Sequence, residues 1–155
     1  MAFDKAKAYL DGKGYGDRVI TFDVSSATVE LAAAALGCEP ALIAKSLTFK
    51  VGGSAVMIIC AGDVKIDNAK YKARFASKAV MLRPEEVDSM IGHGIGGVCP
   101  FGIRDGVEVY TDESLKRFVT VYPACGDAAS AVRLSPEELF TLSGAREWID
   151  VTKPG

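Results

Sequence analysis

The feature that most constrains the fold is a pair of apolar runs joined by two glycines. Residues 44–51 have the sequence AKSLTFKV and residues 54–61 have the sequence SAVMIICA, with Gly52 and Gly53 between them. A Gly-Gly pair between two runs of β-forming residues is a strong signal for a tight hairpin turn. The second run is apolar on both faces, which indicates a strand covered on both sides. The sequence therefore predicts a central antiparallel hairpin of 44–51 with 54–61.

Lys45 breaks the pattern of the first of these strands. Alternate side chains of a strand share a face, so Lys45 lies with Leu47 and Phe49 rather than with Ser46. A lysine on an inner face is costly unless it is paired or lines a cavity. A lysine near the end of a strand can instead extend its ammonium to water. Periodicity leaves both interpretations open.

The rest of the chain shows helical and β patterns that do not alternate regularly. Helical spacing, polar caps and glycine stops predict helices at 3–12, 25–37, 68–76, 84–92 and 135–144. The second of these is expected to have a serine cap. Further strands are predicted at 18–22, 79–82, 107–111, 118–123 and 130–134. Because strand–helix–strand repeats are few, we expect an α+β (mixed α/β) fold with a mixed sheet and helices around it, in one domain over residues 1–155.

A glycine-rich segment, GHGIGGVCPFG, has the spacing of a dinucleotide-binding loop at Gly92, Gly94 and Gly97. Such a loop must follow a strand and begin a helix. Here a predicted helix precedes it, and Pro100 prevents a helix from continuing through it. This order argues against a small-molecule cofactor protein. Glycines before a stiff proline favour a fixed backbone whose N–H groups can receive a carbonyl oxygen or an oxyanion. A flexible connector is the simpler alternative.

Charge and composition exclude other classes of function. The net charge of −2 argues against a chain that binds nucleic acid over its whole surface, and DNA is not an expected partner. No apolar run approaches the length of a membrane span, and the N-terminal residues lack an apolar signal core, so we expect a cytoplasmic protein. The four cysteines are scattered and His93 is the single histidine, so neither a metal nor a cofactor is expected.

One stretch is locally basic. Between Asp63 and Arg83, lysines and arginines outnumber acidic residues, and Lys70, Lys72 and Arg74 lie within one predicted helix. Such a run is either a solvated helix face or a local contact for nucleic acid.

Four segments, in this order, resemble the YbaK/ProX family of aminoacyl-tRNA deacylases. They are IAKSLTF around Lys45, AGDVKID after the hairpin, the GIGGVCPFG loop and the GD…VRLSPEEL end. The family is related to the editing domain inserted in some bacterial prolyl-tRNA synthetases, and the resemblance runs from about Ser25 to Asp150. It implies a mixed α/β domain with a barrel-like central sheet. It also implies hydrolysis of the ester between a wrong amino acid and the 3′ end of a tRNA.

The resemblance also implies roles for individual residues. Lys45 would anchor the terminal nucleotide or polarise the aminoacyl ester, and N–H groups around Gly96 and Gly97 would hold the carbonyl oxygen. The implied substrate-binding residues are Val98, Cys99, Pro100, Phe101, Gly102 and Gly126. The expected contacts to tRNA are Lys70, Lys72 and Arg74.

Two departures from the family pattern leave the substrate open. Some relatives carry a histidine shortly after the position of Gly126, whereas this chain has GDAASAVRL, and relatives often have serine where this chain has Cys99. Cys99 is either a small residue lining the pocket or a nucleophile that His93 activates. His93 is either a base or a loop residue at a helix end.

The expected function is trans-editing of mischarged tRNA-Pro, or of a related tRNA with a small amino acid, with a synthetase as a possible partner. A catalytically silent module that binds tRNA or a synthetase is the alternative.

Overall fold

The computed structural model describes residues 2–94 and 96–155. The helices are α1 (Ala2–Gly12), α2 (Val29–Leu36), α3 (Asn68–Phe75), α4 (Pro84–Met90) and α5 (Pro136–Ser143). The strands are β1 (Val19–Thr21), β2 (Ala44–Val51), β3 (Ser54–Ala61), β4 (Val64–Ile66), β5 (Glu108–Asp112), β6 (Ser130–Val132), β7 (Trp148–Ile149) and β8 (Thr152–Pro154). In this part of the chain no helix is long and apolar enough to cross a membrane.

The central sheet has the strand order β2-β3-β5-β7. β2 and β3 are antiparallel and run in register from Ala44 opposite Ala61 to Val51 opposite Ser54, which confirms the predicted hairpin. Gly52 takes a φ of 61° in the turn, a conformation that suits glycine. β5 runs parallel to both β3 and β7, so the sheet is mixed. The predicted mixed α/β class is therefore confirmed.

The other strands form two small antiparallel sheets, β1 with β6 and β4 with β8. A segment of single bridges links the first of these to the central hairpin. Val121 pairs with Leu134, and Tyr122 exchanges backbone hydrogen bonds of 2.9 and 3.0 Å with Leu42 and Ala44. The sheets do not close into a barrel, so the barrel-like part of the expectation is wrong. The predicted strand at 118–123 forms only these bridges, because Pro123 has no N–H with which to extend the ladder.

Most helices begin and end where their sequence signals lie. Asp67 accepts hydrogen bonds from the N–H groups of Ala69 and Lys70 at the start of α3, and Ser135 caps α5. The cap of α2 was predicted wrongly, because Thr28 rather than a serine accepts the N–H of Leu31. The predicted strand at 79–82 is reduced to one bridge between Met81 and Phe49, and the short strands β4, β7 and β8 were not predicted.

β3 is buried on both faces, as its sequence predicted. Met57, Ile59 and Ala61 belong to a cluster that includes residues of α1, α4 and α5. Val56 and Ile58 belong to a second cluster with Phe49 of β2 and the aromatic residues Tyr71 and Tyr110. The hairpin therefore separates two apolar layers and forms a rigid base for the loops at its edge.

Candidate active site

A cavity of about 220 Å³ lies where β2, the start of α2 and the glycine-rich loop meet. Its wall is mostly aliphatic, with a few hydroxyl groups and one lysine. The described residues of the lining that carry polar groups are Ser26, Thr28, Lys45, Ser46, Thr48, Tyr122 and Ser130. The apolar residues include Val29, Ala32, Ile43, Leu82, Val87 and Val98. A cavity of this size accommodates a small organic group rather than a large ring system.

Lys45 lies on the lining of this cavity, and its ammonium group is held by the main chain. Nζ donates to the carbonyl of Val64 and lies 3.5 Å from the carbonyl of Gly62. The side chain is half-buried. Lys45 therefore combines the two interpretations that periodicity left open, because it is paired and lines a cavity while part of it remains exposed to water. Carbonyl dipoles offset part of the cost of burying the cation and fix its position beside the cavity.

The glycine-rich loop follows α4 rather than a strand, and no helix begins within its described residues. Gly96 has a φ of 93° and lines the cavity. A Cβ atom at Gly97 would lie 2.5 Å from both N and Cα of Asp127, so two backbone segments touch at this point. The N–H of Gly97 donates to the carbonyl of Gly94 at 3.2 Å, and a substrate oxygen would have to share or displace that bond. Ile95 lies outside the described residues.

The second half of the loop turns away from the cavity. Val98 belongs to the lining, whereas Cys99 and Phe101 are fully buried in the core. Phe101 stacks on Tyr9 of α1 at a centroid distance of 6.2 Å, and Pro100 is buried beside it. These residues hold the loop in place, and they are not part of the cavity wall.

Two further glycines allow close backbone contacts with α1. A Cβ atom at Gly126 would lie 2.5 Å from the carbonyl oxygen of Ala2, and one at Gly102 would lie 2.9 Å from that of Lys5. Both glycines also have positive φ angles. Neither belongs to the cavity lining, so they shape the site indirectly by packing the loops against α1.

Cys99 and His93 form a buried pair. The thiol Sγ lies 3.5 Å from His93 Nε2, which donates to the carbonyl oxygen of Phe101 at 2.7 Å. Burial raises the pKa of the Cys99 thiol and lowers the pKa of His93, so both groups are held in their neutral forms. A nucleophilic cysteine needs a thiolate and access to substrate, and the structure supplies neither for Cys99.

Sequence reasoning missed the hydroxyl groups of the cavity. Ser46 and Thr48 could have been found, because they alternate along β2 on the face opposite Phe49. Ser26 and Ser130 carry no such signal, since only the tertiary fold brings them to the cavity.

Within residues 2–94 and 96–155, no three His, Cys, Asp or Glu side chains are grouped as a metal site would need.

The basic residues of α3 differ in how strongly they are engaged within the fold. Lys70 donates to Asp150 at 3.0 Å and to the carbonyl of Thr152 at 2.9 Å. Arg74 is paired with Glu147 and lies over the ring of Tyr110. Lys72 is exposed, forms no ion pair within the described part of the chain, and lines a second cavity of about 420 Å³ together with Lys78.

Comparison with known proteins gives consistent matches. The profile of the family described as the aminoacyl-tRNA editing domain matches residues 24–142. The uncharacterized protein YwhH of Bacillus subtilis (strain 168) is 53% identical over 136 residues, which cover 87% of each chain. The proline–tRNA ligase of Geobacillus sp. (strain WCH70) is 30% identical over 75% of this chain, which spans only 21% of that enzyme.

A solved structure covers nearly the whole chain. It is that of a protein proposed to be a trans-editing enzyme for prolyl-tRNA synthetase, and it superposes with a TM-score of 0.88 at 30% identity. The superposition covers 98% of this chain and 97% of that one. The fold is therefore shared over essentially the full length.

Proposed function

The chain belongs to the aminoacyl-tRNA editing domain family, and we propose that it is a trans-editing deacylase acting on mischarged tRNA. The proposed substrate is tRNA-Pro, or a related tRNA, that carries a small wrong amino acid. The observation that carries this proposal is the small cavity between the glycine-rich loop and β2, with Lys45 on its lining. The similarity to proline–tRNA ligases and to a proposed trans-editing enzyme supports the choice of tRNA. A cytoplasmic location and a synthetase partner are part of the same proposal.

The reaction is hydrolysis of an ester. Water adds to the carbonyl carbon of the aminoacyl group, the bond from that carbon to the ribose oxygen breaks, and the ribose oxygen takes a proton. The products are the free amino acid and the uncharged tRNA. Because a ribose hydroxyl is a moderate leaving group, positioning of the water and stabilisation of the oxyanion can supply much of the catalysis.

The residues around the cavity suit these two tasks. The fixed backbone at Gly96 and Val98 can face the carbonyl oxygen of the substrate, and the aliphatic wall excludes bulk water. The ammonium of Lys45, held by two carbonyl groups, can meet the terminal phosphate or polarise the ester. Among the described residues, the lining contains no carboxylate and no histidine, so we propose that the substrate's own amino or ribose hydroxyl group orients the water.

The absence of a carboxylate and of a histidine from the described lining is the observation that favours a second candidate function, that of a catalytically silent module. A module that binds tRNA or a synthetase without hydrolysis needs a cavity and a cation but no base. The two functions differ in one measurement, which is whether the purified chain releases amino acid from aminoacyl-tRNA.

The test is single-turnover deacylation of a panel of tRNAs charged with alanine, serine, threonine, cysteine and proline, including mischarged tRNA-Pro. We expect Lys45→Ala to lower the rate about ten- to hundredfold, as the loss of a charge-assisted contact worth about 1.5–3 kcal/mol does in a transition state. Lys45→Arg should restore activity only in part, because the planar guanidinium does not fit the position of a compact ammonium.

Lys65→Ala is the matched control, since Lys65 follows Val64 on β4 and is exposed. It should leave both the rate and the melting temperature near those of the parent. A Lys45→Ala variant that still deacylates at the parental rate would remove Lys45 from the mechanism. Binding of charged tRNA without release of any amino acid would identify the chain as the silent module.

A further inference from the structure

The ammonium group of Lys45 is held by the turn that joins β3 to β4. Its Nζ donates to the carbonyl of Val64 and lies 3.5 Å from the carbonyl of Gly62, and these two residues flank Asp63 in the turn. Because a lysine side chain is long and flexible, its ammonium has a defined position only where its acceptors are fixed. The position of the Lys45 ammonium beside the cavity therefore depends on the position of this turn.

Arg117 binds the carboxylate of Asp63 with both ends of its guanidinium group. Nη1 and Nη2 donate to the two carboxylate oxygens at 3.0 and 2.6 Å, and Nε donates to the carbonyl of Ser114 at 2.8 Å. A bidentate pair of this kind fixes the orientation of its two groups as well as their distance. The hydrogen bonds from Arg117 lower the pKa of Asp63, so the carboxylate is charged at neutral pH.

Arg117 ends a short 3-10 helix, Glu113–Arg117, that is anchored to the core of the fold. Asp112, fully buried at the end of β5, accepts the N–H of Ser114 at 2.9 Å. The hydroxyl of Ser114 accepts the N–H of Ala61, the last residue of β3, at 3.1 Å. One anchored element thus reaches the turn at two points, through Ser114 and through Arg117.

The turn also contacts the wall of the cavity. A Cβ atom at Gly62 would overlap the carbonyl oxygen of Pro40 and would lie 2.8 Å from Cγ1 of Val29, which lines the cavity. The carbonyl of Asp63 accepts the N–H of Gly155 at 3.0 Å. The turn is therefore closely packed, and its place relative to the cavity is set by these contacts together with the ion pair.

We propose that Asp63 and Arg117 are positioning residues of the site, and that their ion pair fixes the turn whose carbonyl groups hold the ammonium of Lys45 at the cavity. The proposal rests on the deacylase function proposed above. Neither Asp63 nor Arg117 lines the cavity, so both act on the substrate through Lys45. An ion pair that is about half exposed contributes little to the stability of a fold, whereas a displacement of about 1 Å in a functional group can remove much of the rate.

The first test is single-turnover deacylation of mischarged tRNA by the variants Asp63→Asn and Arg117→Gln. We expect each variant to lower the rate about three- to tenfold, with a melting temperature close to that of the parent. Arg117→Lys keeps a cation opposite the carboxylate and should recover part of the rate. Glu113→Gln is the matched control, because it removes the ion pair with Lys116 on the same 3-10 helix and keeps the contacts to the turn.

A double-mutant cycle determines whether the loss of rate passes through Lys45. In the Lys45→Ala background, Asp63→Asn should change the remaining rate by less than about twofold, because the ammonium that the turn positions is already absent. Equal fold losses with and without Lys45 would contradict the proposal. A loss of tRNA affinity in Arg117→Gln that Asp63→Asn does not share would also contradict it, because Arg117 would then contact the nucleic acid itself.

A second measurement does not depend on catalysis. Trace acetylation with acetic anhydride, followed by mass spectrometry of the peptides, reports how readily each lysine amine reacts. In the parent, Lys45 should react more slowly than the exposed Lys65, because its ammonium is held by two carbonyl groups. Arg117→Gln should bring the two reactivities closer together, and Glu113→Gln should leave their ratio unchanged. A parental ratio in Arg117→Gln would overturn the positioning role.

The outcomes also separate the two proposals from each other. Deacylation by the parent that neither Asp63→Asn nor Arg117→Gln lowers would keep the deacylase function and reject the positioning role. Absence of any deacylation by the parent, with a raised reactivity of Lys45 in Arg117→Gln, would reject the deacylase function and keep the role of the ion pair in positioning Lys45.

Discussion

At the scale of single residues, Gly97 shows most directly why the loop needs glycine. Asp127 approaches so closely that a Cβ atom at position 97 would lie 2.5 Å from two of its backbone atoms. A side chain could move aside, but a backbone cannot move without disturbing the segment around Gly126. Gly97, the last glycine of the G-x-G-x-x-G spacing, is therefore required by backbone packing in this chain, and not by a phosphate.

We predict that Gly97→Ala lowers the free energy of unfolding by about 1–3 kcal/mol, the usual cost of forcing an extra group into a packed site. Deacylation should fall more than tenfold, because Gly96 and Val98 on either side line the cavity. Gly94→Ala is the matched control, since a Cβ atom there would meet no atom within 4 Å. Urea unfolding measures the stability of both variants. Equal stability of the two would show that the contact with Asp127 is not as close as described.

At the scale of elements, the junction between β2 and α4 depends on one carboxylate. Glu86 accepts the N–H of Arg83 at 2.9 Å at the start of α4 and forms an ion pair with Lys50 of β2. The hydrogen bond from the Lys50 ammonium, followed by that from the Arg83 N–H, lowers the pKa of Glu86 from 4.5 to about 2. This carboxylate joins the central hairpin to the helix that leads into the glycine-rich loop.

A pH dependence of stability follows from this shift. A carboxyl whose pKa is lower in the folded than in the unfolded state stabilises the fold above its unfolded pKa. That contribution is lost as the pH falls from about 4.5 to about 2. We predict that Glu86→Gln is less stable than the parent at pH 7 and that the difference disappears on acidification through this range. Glu85→Gln, an exposed neighbour, serves as control. Parallel stability curves for the parent and Glu86→Gln between pH 7 and pH 2 would contradict the prediction.

At the scale of the whole molecule, charge distribution matters more than net charge. The chain carries a net charge of −2, so binding of a polyanion must depend on a local surface. Lys70 and Arg74 are engaged by acidic partners, whereas Lys72 and Lys78 are exposed and both line the second cavity. The expected tRNA surface is therefore narrower than the basic stretch suggested, and it centres on these two lysines.

We predict that Lys72→Gln, Lys78→Gln weakens tRNA binding more than Lys70→Gln, Arg74→Gln. Both double variants remove two positive charges, so the second is a matched control for net charge. With two or three phosphate contacts, the affinity of the parent should fall about ten- to fortyfold between 50 and 200 mM salt, and the first variant should lose most of this dependence. Filter binding over a salt series measures both. Equal losses of tRNA affinity in the two variants would contradict a surface centred on Lys72 and Lys78, and would indicate that the basic stretch is a solvated helix face.

Sequence alone determined those parts of the fold that depend on neighbours along the chain. The hairpin of β2 and β3 follows from period-two patterning and a glycine turn, and the starts of α3 and α5 follow from Asp67 and Ser135, which cap their own helices. The glycine-rich loop could likewise be separated from a dinucleotide site, because the order of helix, glycines and proline is a local property.

The tertiary structure decided whatever depends on partners distant in sequence. The short strands β4, β7 and β8 are too brief to show a period, and they exist because a distant backbone pairs with them. The positions of Cys99 in the core and of Ser26 in the cavity were likewise set by packing across the fold, since no neighbouring residue determines which surface covers them. Periodicity placed Lys45 on an inner face. Only the fold brought the carbonyls of Gly62 and Val64 within reach of its ammonium. A partly buried cation needs hydrogen-bond acceptors, and which backbone carbonyls lie close enough depends on how distant segments pack.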